Sequence, residues 1–273
     1  MKYIRITMMF LFVVSLGLYG LSWVKEKQLE DSTKPSLTSD REEMELSVDY
    51  EEGDLLEGLT ASDAKDGDLT DQIIVGSFSQ FLEPGVCNVS YVVFDSVNQP
   101  AVLTRKTRFT DYRSPQFTLS QPLVFRAGAG SNAVSQVGAN DVLDGDLTSL
   151  VRLVGSDVNY REEGEYSIQV EVSNSFGDTQ EASLPVHIVE GSNAALEIEL
   201  MEPLVYVKKG EGFDPNLYVE SVEDADGNLV QGPSLTVESS VNNQEAGCYE
   251  VHYQVTNEQG LSGETWLTVI VRE

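Results

Sequence analysis

Three short stretches concentrate carboxylates at a fixed spacing. Asp63, Asp66 and Asp68 lie in the run ASDAKDGDLT, and Asp141, Asp144 and Asp146 in the run ANDVLDGDLT. A looser third copy, VEDADGNLV, carries Asp224, Asp226 and Asn228. Hard oxygen donors gathered in one loop suit calcium, which takes several of them at about 2.3–2.6 Å. The spacing is not that of a twelve-residue EF-hand loop, which closes on a bidentate glutamate. The same residue types also build Asx turns, in which a side-chain oxygen accepts backbone N–H groups and fixes the loop. Two readings therefore stand. Either Asp63, Asp66, Asp68, Asp141, Asp144 and Asp146 hold calcium, or they are structural turns and no cofactor is required.

The remaining chemistry-bearing residues are sparse. The only histidines are His187 and His252, and strand parity turns both away from the cores. No serine or cysteine sits in a nucleophile-elbow motif, and no nucleophile, base and pocket can be assembled. The expectation is a protein that is not an enzyme. Cys87 takes an inward slot and Cys248 an outward one, in different parts of the chain. A disulfide needs Cα atoms within about 7 Å, so a bridge between them is not expected. Trp266 has outward parity beside Thr268 and Ile270. There it either stacks on a sugar, as a binding residue, or packs on a loop or neighbouring domain. Arg105, Lys106, Arg108 and Arg113 form a basic cluster, read as neutralising nearby carboxylates.

These residues sit on an internal repeat. The strand signatures PGVCNVSYVV, EGEYSIQVEV and AGCYEVHYQV begin at Pro84, Glu163 and Ala246. Each opens on a glycine turn and then alternates with period two. Cys87, Val89, Tyr91 and Val93 point one way; so do Tyr166, Ile168, Val170 and Val172, and Tyr249, Val251, Tyr253 and Val255. One face is apolar and the other mostly polar, as a half-buried antiparallel strand requires. A turn follows in each copy (DSVN, NSFG, NEQG), then a closing strand. Asn, Asp and Gly suit such turns because they tolerate positive φ. The leucine after each acidic turn is expected to plug the core. The spacing of about 80 residues matches a small sandwich.

Composition agrees. The chain has 273 residues, 41% of them hydrophobic, enough for packed cores. With 45 acidic and 17 basic residues the formal net charge is −28, which repels nucleic acid and excludes it as a partner. Lys2 and Arg5 precede the uncharged run Ile6–Val24. At 1.5 Å per residue that run reaches about 28 Å as a helix. It reads as an uncleaved single-pass membrane anchor with the C-terminal domains outside the cell, the alternative being a cleaved signal peptide and a secreted protein. The membrane is then a partner through the N-terminal helix. The polar stretch after it reads as a flexible linker.

The two motifs in fixed order, three times over, resemble a bacterial surface-protein immunoglobulin-like domain family, similar in appearance to hyalin-type repeats. The first copy matches best, with ASDAKDGDLT, PGVCNVSYVVFD and Arg105. It departs at Cys87, where the family has an aromatic, and at DSVNQ, which lacks the glycine. The resemblance implies an all-β fold: three tandem immunoglobulin-like β-sandwiches after an N-terminal transmembrane or signal helix. The expected segments are residues 1–24 for the anchor or signal, 25–43 for the linker, and 44–112, 113–191 and 192–273 for the repeats. It also implies a non-catalytic cell-surface stalk or adhesion module with a protein or glycan ligand. The alternatives are a calcium-stabilised adhesin and a scaffold subunit of an envelope complex.

Overall fold

The computed structural model describes residues 8, 12–23, 33–190 and 196–273. Residues 12–23 are helical, and most of their large apolar side chains are exposed. Among the described residues no helix is long and apolar enough to cross a membrane. The anchor read over Ile6–Val24 falls partly outside the described residues. The rest of the chain is all-β and divides into two compact units, residues 1–110 and 111–273.

The first unit contains one sandwich. Strands β1 (Ser36–Ser39), β3 (Leu59–Asp63) and β4 (Gly67–Asp68) make a three-stranded sheet. Facing it are β2 (Glu43–Leu46), β7 (Pro100–Phe109), β6 (Val86–Phe94) and β5 (Ile74–Phe78), in that order. The first two strands divide between the sheets: β1 pairs antiparallel with β3, and β2 pairs parallel with β7. The linker expected up to residue 43 is therefore too long, because its last part forms β1 and enters the sandwich. Backbone donors that meet a sheet edge are paired instead of left to water, which is what keeps that stretch ordered.

The second unit repeats the plan twice. Strands β8 (Gln116–Leu119), β10 (Val137–Asp141) and β11 (Gly145–Asp146) face β9 (Val124–Arg126), β12 (Arg152–Ser156), β13 (Gly164–Ser173) and β14 (Thr179–Val189). Then β15 (Glu197–Leu200) and β17 (Val219–Glu223) face β16 (Leu204–Lys208), β18 (Ser234–Ser239), β19 (Gly247–Thr256) and β20 (Ser262–Arg272). The parallel closing pair recurs as β9 with β14 and β16 with β20. The second and third repeats are thus parts of one compact unit.

The cores follow the predicted parity. Cys87, Val89, Tyr91 and Val93 are fully buried, as are Ile168, Val170 and Val172, and Val251, Tyr253 and Val255. Tyr166 and Tyr249 are half-buried. Their rings lie over Gly164 and Gly247, where a Cβ would come within 3.3 Å.

One core departs from expectation. Arg105 does not join a surface cluster; only 1% of it is exposed. It pairs with Val89 across β6 and β7, at the position that Leu184 and Leu267 fill in the other repeats. Burying a cation is costly unless its donors are used. Here the short helix α1 (Glu52–Leu56) supplies the acceptors. Arg105 donates to the carbonyls of Leu55 at 2.5 Å and Glu57 at 2.7 Å, and to the Tyr91 hydroxyl at 3.2 Å. Lys106 and Arg108 do lie outside and pair with Glu43 at 3.3 and 2.9 Å, as alternation on one strand dictates. Two residues after Arg105, the Thr107 hydroxyl is buried without a hydrogen-bond partner. Its counterparts, read from the same register, are Val186 and Val269.

Two substitutions test this account by thermal melting of the first unit. Arg105→Ala orphans two carbonyls and a hydroxyl and should cost about 3–5 kcal/mol. Thr107→Val removes an unpaired buried hydroxyl at nearly constant volume and should stabilise by about 1 kcal/mol. A neutral or destabilising Thr107→Val would show that the hydroxyl has a partner in solution.

Candidate functional site

The acidic motif resolves into a node that ties three loops together. In the first repeat, Asp63 Oδ1 accepts the backbone N–H groups of Lys65 at 2.7 Å and Asp66 at 3.1 Å. Asp66 reaches across with Oδ2 and accepts the N–H of Ser96 at 2.9 Å, in the hairpin between β6 and β7. Asp68 Oδ1 accepts the N–H of Thr70 at 2.9 Å and opens the 3-10 turn Thr70–Gln72. Leu69, between them, is buried, as expected of the core plug. The hairpin has its own node: Asp95 Oδ1 accepts the N–H groups of Val97 at 2.9 Å and Gln99 at 2.7 Å.

The second repeat matches this residue for residue. Asp141 Oδ1 accepts from Leu143 and Asp144, Asp144 Oδ2 from Ser175, and Asp146 Oδ1 from Thr148. Asn174 stands where Asp95 stood, and its Oδ1 accepts from Phe176 and Asp178. In the third repeat Asp224 Oδ1 accepts from Asp226 and Asn228, and Asn257 Oδ1 from Gln259 and Leu261. This is Asx-turn chemistry, and in each repeat two of these side chains accept two backbone N–H groups apiece.

The nodes differ in how the second oxygen of the first aspartate is met. In the second repeat, Asn174 Nδ2 donates to Asp141 Oδ2 at 3.2 Å and to the Tyr112 hydroxyl at 2.9 Å. Tyr112 in turn donates to Asp178 at 2.7 Å. In the first repeat the amide is replaced by a carboxylate, and Asp63 Oδ2 and Asp95 Oδ2 are both buried with no hydrogen-bond partner. Asp63 is 7% exposed and Asp95 5%. Asp95 was not among the sequence-predicted site residues; the signal for it was the Asp/Asn/Asn difference at the first position of three aligned turns. Among the described residues no group of three or more acidic, histidine or cysteine side chains is arranged to hold a metal ion.

Hydrogen bonding to the ionised form lowers the pKa of four of these carboxyls. Asp63 is held below the ordinary 3.8 chiefly by the Lys65 N–H, Asp68 by Thr70, Asp146 by Thr148 and Asp224 by the Asn228 N–H. A carboxylate with a depressed folded value contributes stability above its unfolded value and loses it as pH falls through the folded one.

Trp266 and His187 were placed on outward faces, and in the strand sense they are. The outer face of β14 is covered by the outer face of β20, so neither side chain is free. The indole is stacked between the imidazoles of His187 at 4.0 Å and His252 at 4.1 Å, each inclined by 8°. His187 is buried and shares a hydrogen bond with Glu250 at 2.6 Å; His252 does so with Glu264 at 3.0 Å. Of the two readings of Trp266, the geometry fits packing against a neighbouring repeat. Stacking on a sugar is corrected, because both indole faces are occupied. The Tyr206 hydroxyl adds a second tie between these repeats, accepting the N–H of Phe117 at 2.7 Å.

Beside this seam lies a cleft of about 820 Å³, lined by Gln121, Phe125, Arg126, Glu197, Glu199 and Thr256 among others. Its acidic side is strong enough that burial, with Glu197 and Glu223 nearby, raises Glu199 above the ordinary carboxylate value. Both cysteines are free thiols. Burial pushes Cys87 up to about 11, and Cys248, exposed at its residue surface but with its thiol in a crevice beside Glu250, up to about 12. At neutral pH both are protonated and poor nucleophiles.

The fold and its nodes define tandem β-sandwiches of the immunoglobulin type. Residues 201–271 match the family described as bacterial surface protein, Ig-like domain. The resemblance read from the repeat motifs is thereby borne out, in the third repeat. Among curated proteins the chain is 30% identical over 224 residues to the pesticidal crystal protein Cry22Aa of Bacillus thuringiensis, covering 78% of this chain and 29% of that protein. It is 26% identical over 138 residues to an uncharacterized 81.3 kDa protein of Acholeplasma phage L2, covering 49% of this chain and 18% of the other. The chain therefore spans less than a third of either relative. Similar solved structures include Drosophila N-cadherin EC1-3, at 11% identity, 89% and 90% coverage and a TM-score of 0.31. Another is the CBM51-2 and INT domains of Clostridium perfringens ZmpB with GlcNAc, at 22% identity, 55% and 26% coverage and a TM-score of 0.24. Both TM-scores are too low for either structure to bear on what this protein does.

Two outcomes are expected from the site. Melting temperature should be flat from pH 7 to 5 and fall below about pH 4, and Asp146→Asn should soften that fall; an identical acid limb in the variant would mean the turn carboxylates do not report on folding. Trp266→Ala should weaken the second unit by about 2 kcal/mol or more, and limited proteolysis should then separate the second and third repeats.

Proposed function

We propose that the chain is a non-catalytic bacterial cell-surface module whose tandem sandwiches hold and present a binding surface away from the cell. The observation that carries this reading is the use made of its polar groups. The repeated acidic side chains satisfy turn backbones, and the histidines are committed to packing Trp266. That is the economy of a scaffold, and the family of residues 201–271 is one of surface domains. The apolar run Ile6–Val24, with Lys2 and Arg5 before it, supports a membrane-anchored location. Among the described residues, the cleft between the second and third repeats offers a concave surface for a ligand. Its acidic lining favours a neutral glycan or a basic peptide over an anionic polymer.

The test is binding of the full chain, purified in detergent and fluorescently labelled, to intact cells, isolated cell-wall polysaccharide and a panel of basic peptides. Saturable binding that drops at least tenfold in a Glu197→Gln, Glu199→Gln double variant is the expected result. Saturable binding untouched by that variant would move the ligand site elsewhere. No binding to any surface, with a membrane protein co-purifying instead, would favour the scaffold reading.

A further inference from the structure

We propose that the first repeat holds a calcium ion between Asp63 and Asp95, and that the equivalent node of the second repeat does not. This goes beyond the surface-module reading and does not depend on it. The two nodes share one frame: Ser96 is tied to Asp66 as Ser175 is tied to Asp144. The strand register before the turn is also the same, with Ser62 opposite Asp68 and Asn140 opposite Asp146. In that frame Asn174 meets Asp141 Oδ2, and Asp95 holds the equivalent position beside Asp63. An amide donates across the gap in the second repeat. A carboxylate cannot, and two unpaired anionic oxygens are left more than nine-tenths buried.

Two buried carboxylates facing each other repel unless a cation or a proton lies between them. Several features favour the cation. Each carboxylate already has Oδ1 engaged by two backbone N–H groups, so Oδ2 is the oxygen left to meet a cation. The net charge of −28 concentrates cations around the chain. Because both side chains are pinned through Oδ1 on separate turns, they cannot tighten to the 2.0–2.1 Å octahedron that magnesium demands. Calcium accepts longer and less regular distances, completed by water and carbonyl oxygens. With only two carboxylates, affinity should fall in the 10⁻⁴–10⁻³ M range of extracellular modules.

Isothermal titration of the full chain in detergent, after EDTA and dialysis, reads the stoichiometry; differential scanning calorimetry of the same samples reads the fold. The wild type should bind one calcium per chain at least tenfold more tightly than magnesium, with a higher melting temperature for the first unit in calcium. Asp95→Asn copies the residue found at this position in the other two repeats, so it should fold. It should lose calcium binding at least tenfold and melt no lower than wild type in EDTA. An Asp95→Asn chain that still binds calcium with wild-type affinity overturns the site. So does a wild type that ignores calcium but gains melting temperature from pH 7 to 5 in EDTA, the signature of a shared proton.

Discussion

Everything in this chain depends on a side-chain oxygen accepting two backbone N–H groups at the start of a turn. The hairpin that joins the two longest strands of each sandwich begins at Asp95, Asn174 or Asn257, and that oxygen closes it. A turn without it would leave two backbone donors unpaired beside the core, each at a cost of about 1–3 kcal/mol. Because the acidic turn clamps the same hairpin through Asp66 or Asp144, the two sheets are also tied to each other at one end. The sandwich is then a consequence of alternation: period two on β6, β13 and β19 leaves it no other face to bury.

Within that frame the three repeats have diverged where packing allows it. The position that is leucine in the second and third cores is Arg105 in the first, and it is tolerated because α1 ends with its carbonyls turned toward it. The hairpin that uses Gly177 and Gly260 at positive φ uses Asn98 in the first repeat, at φ 63°. Asparagine is among the few residues that bear this conformation at low cost. The first repeat is thus the most polar inside, and it also carries the unbalanced carboxylate pair. Most of its buried polar groups have a local partner, and Thr107 Oγ1, Asp63 Oδ2 and Asp95 Oδ2 are among the buried atoms that do not.

The second unit shows how a wet sheet face becomes an interface. Trp266, His187 and His252 all have outward parity on their own strands. Stacking them covers apolar ring surface, while Glu250 and Glu264 each take up one imidazole nitrogen, Nε2 of His187 and Nε2 of His252. Two sandwiches joined in this way resist separation better than two joined by a linker alone. The cleft beside the seam exists only because two separately folded surfaces meet there.

Much of this was legible in the residues themselves. Strand alternation, the leucine plugs Leu69 and Leu147, the glycine and asparagine turns and the repeat spacing are local, and local patterns survive into the fold because nearest neighbours decide them. Long-range contacts do not leave such a trace. That Arg105 lies inside was written only in its parity with Phe109, against the far stronger prior that arginine is exposed. That the linker's end is strand β1 depended on an edge supplied by β3, some 23 residues on. Whether Trp266 met a sugar or a histidine depended on which surface of a neighbouring repeat it faced. The same holds for Asp63 and Asp95, some thirty residues apart in sequence: only the fold buries an oxygen of each without a partner, because only there does the acidic turn stand against the hairpin of another strand pair.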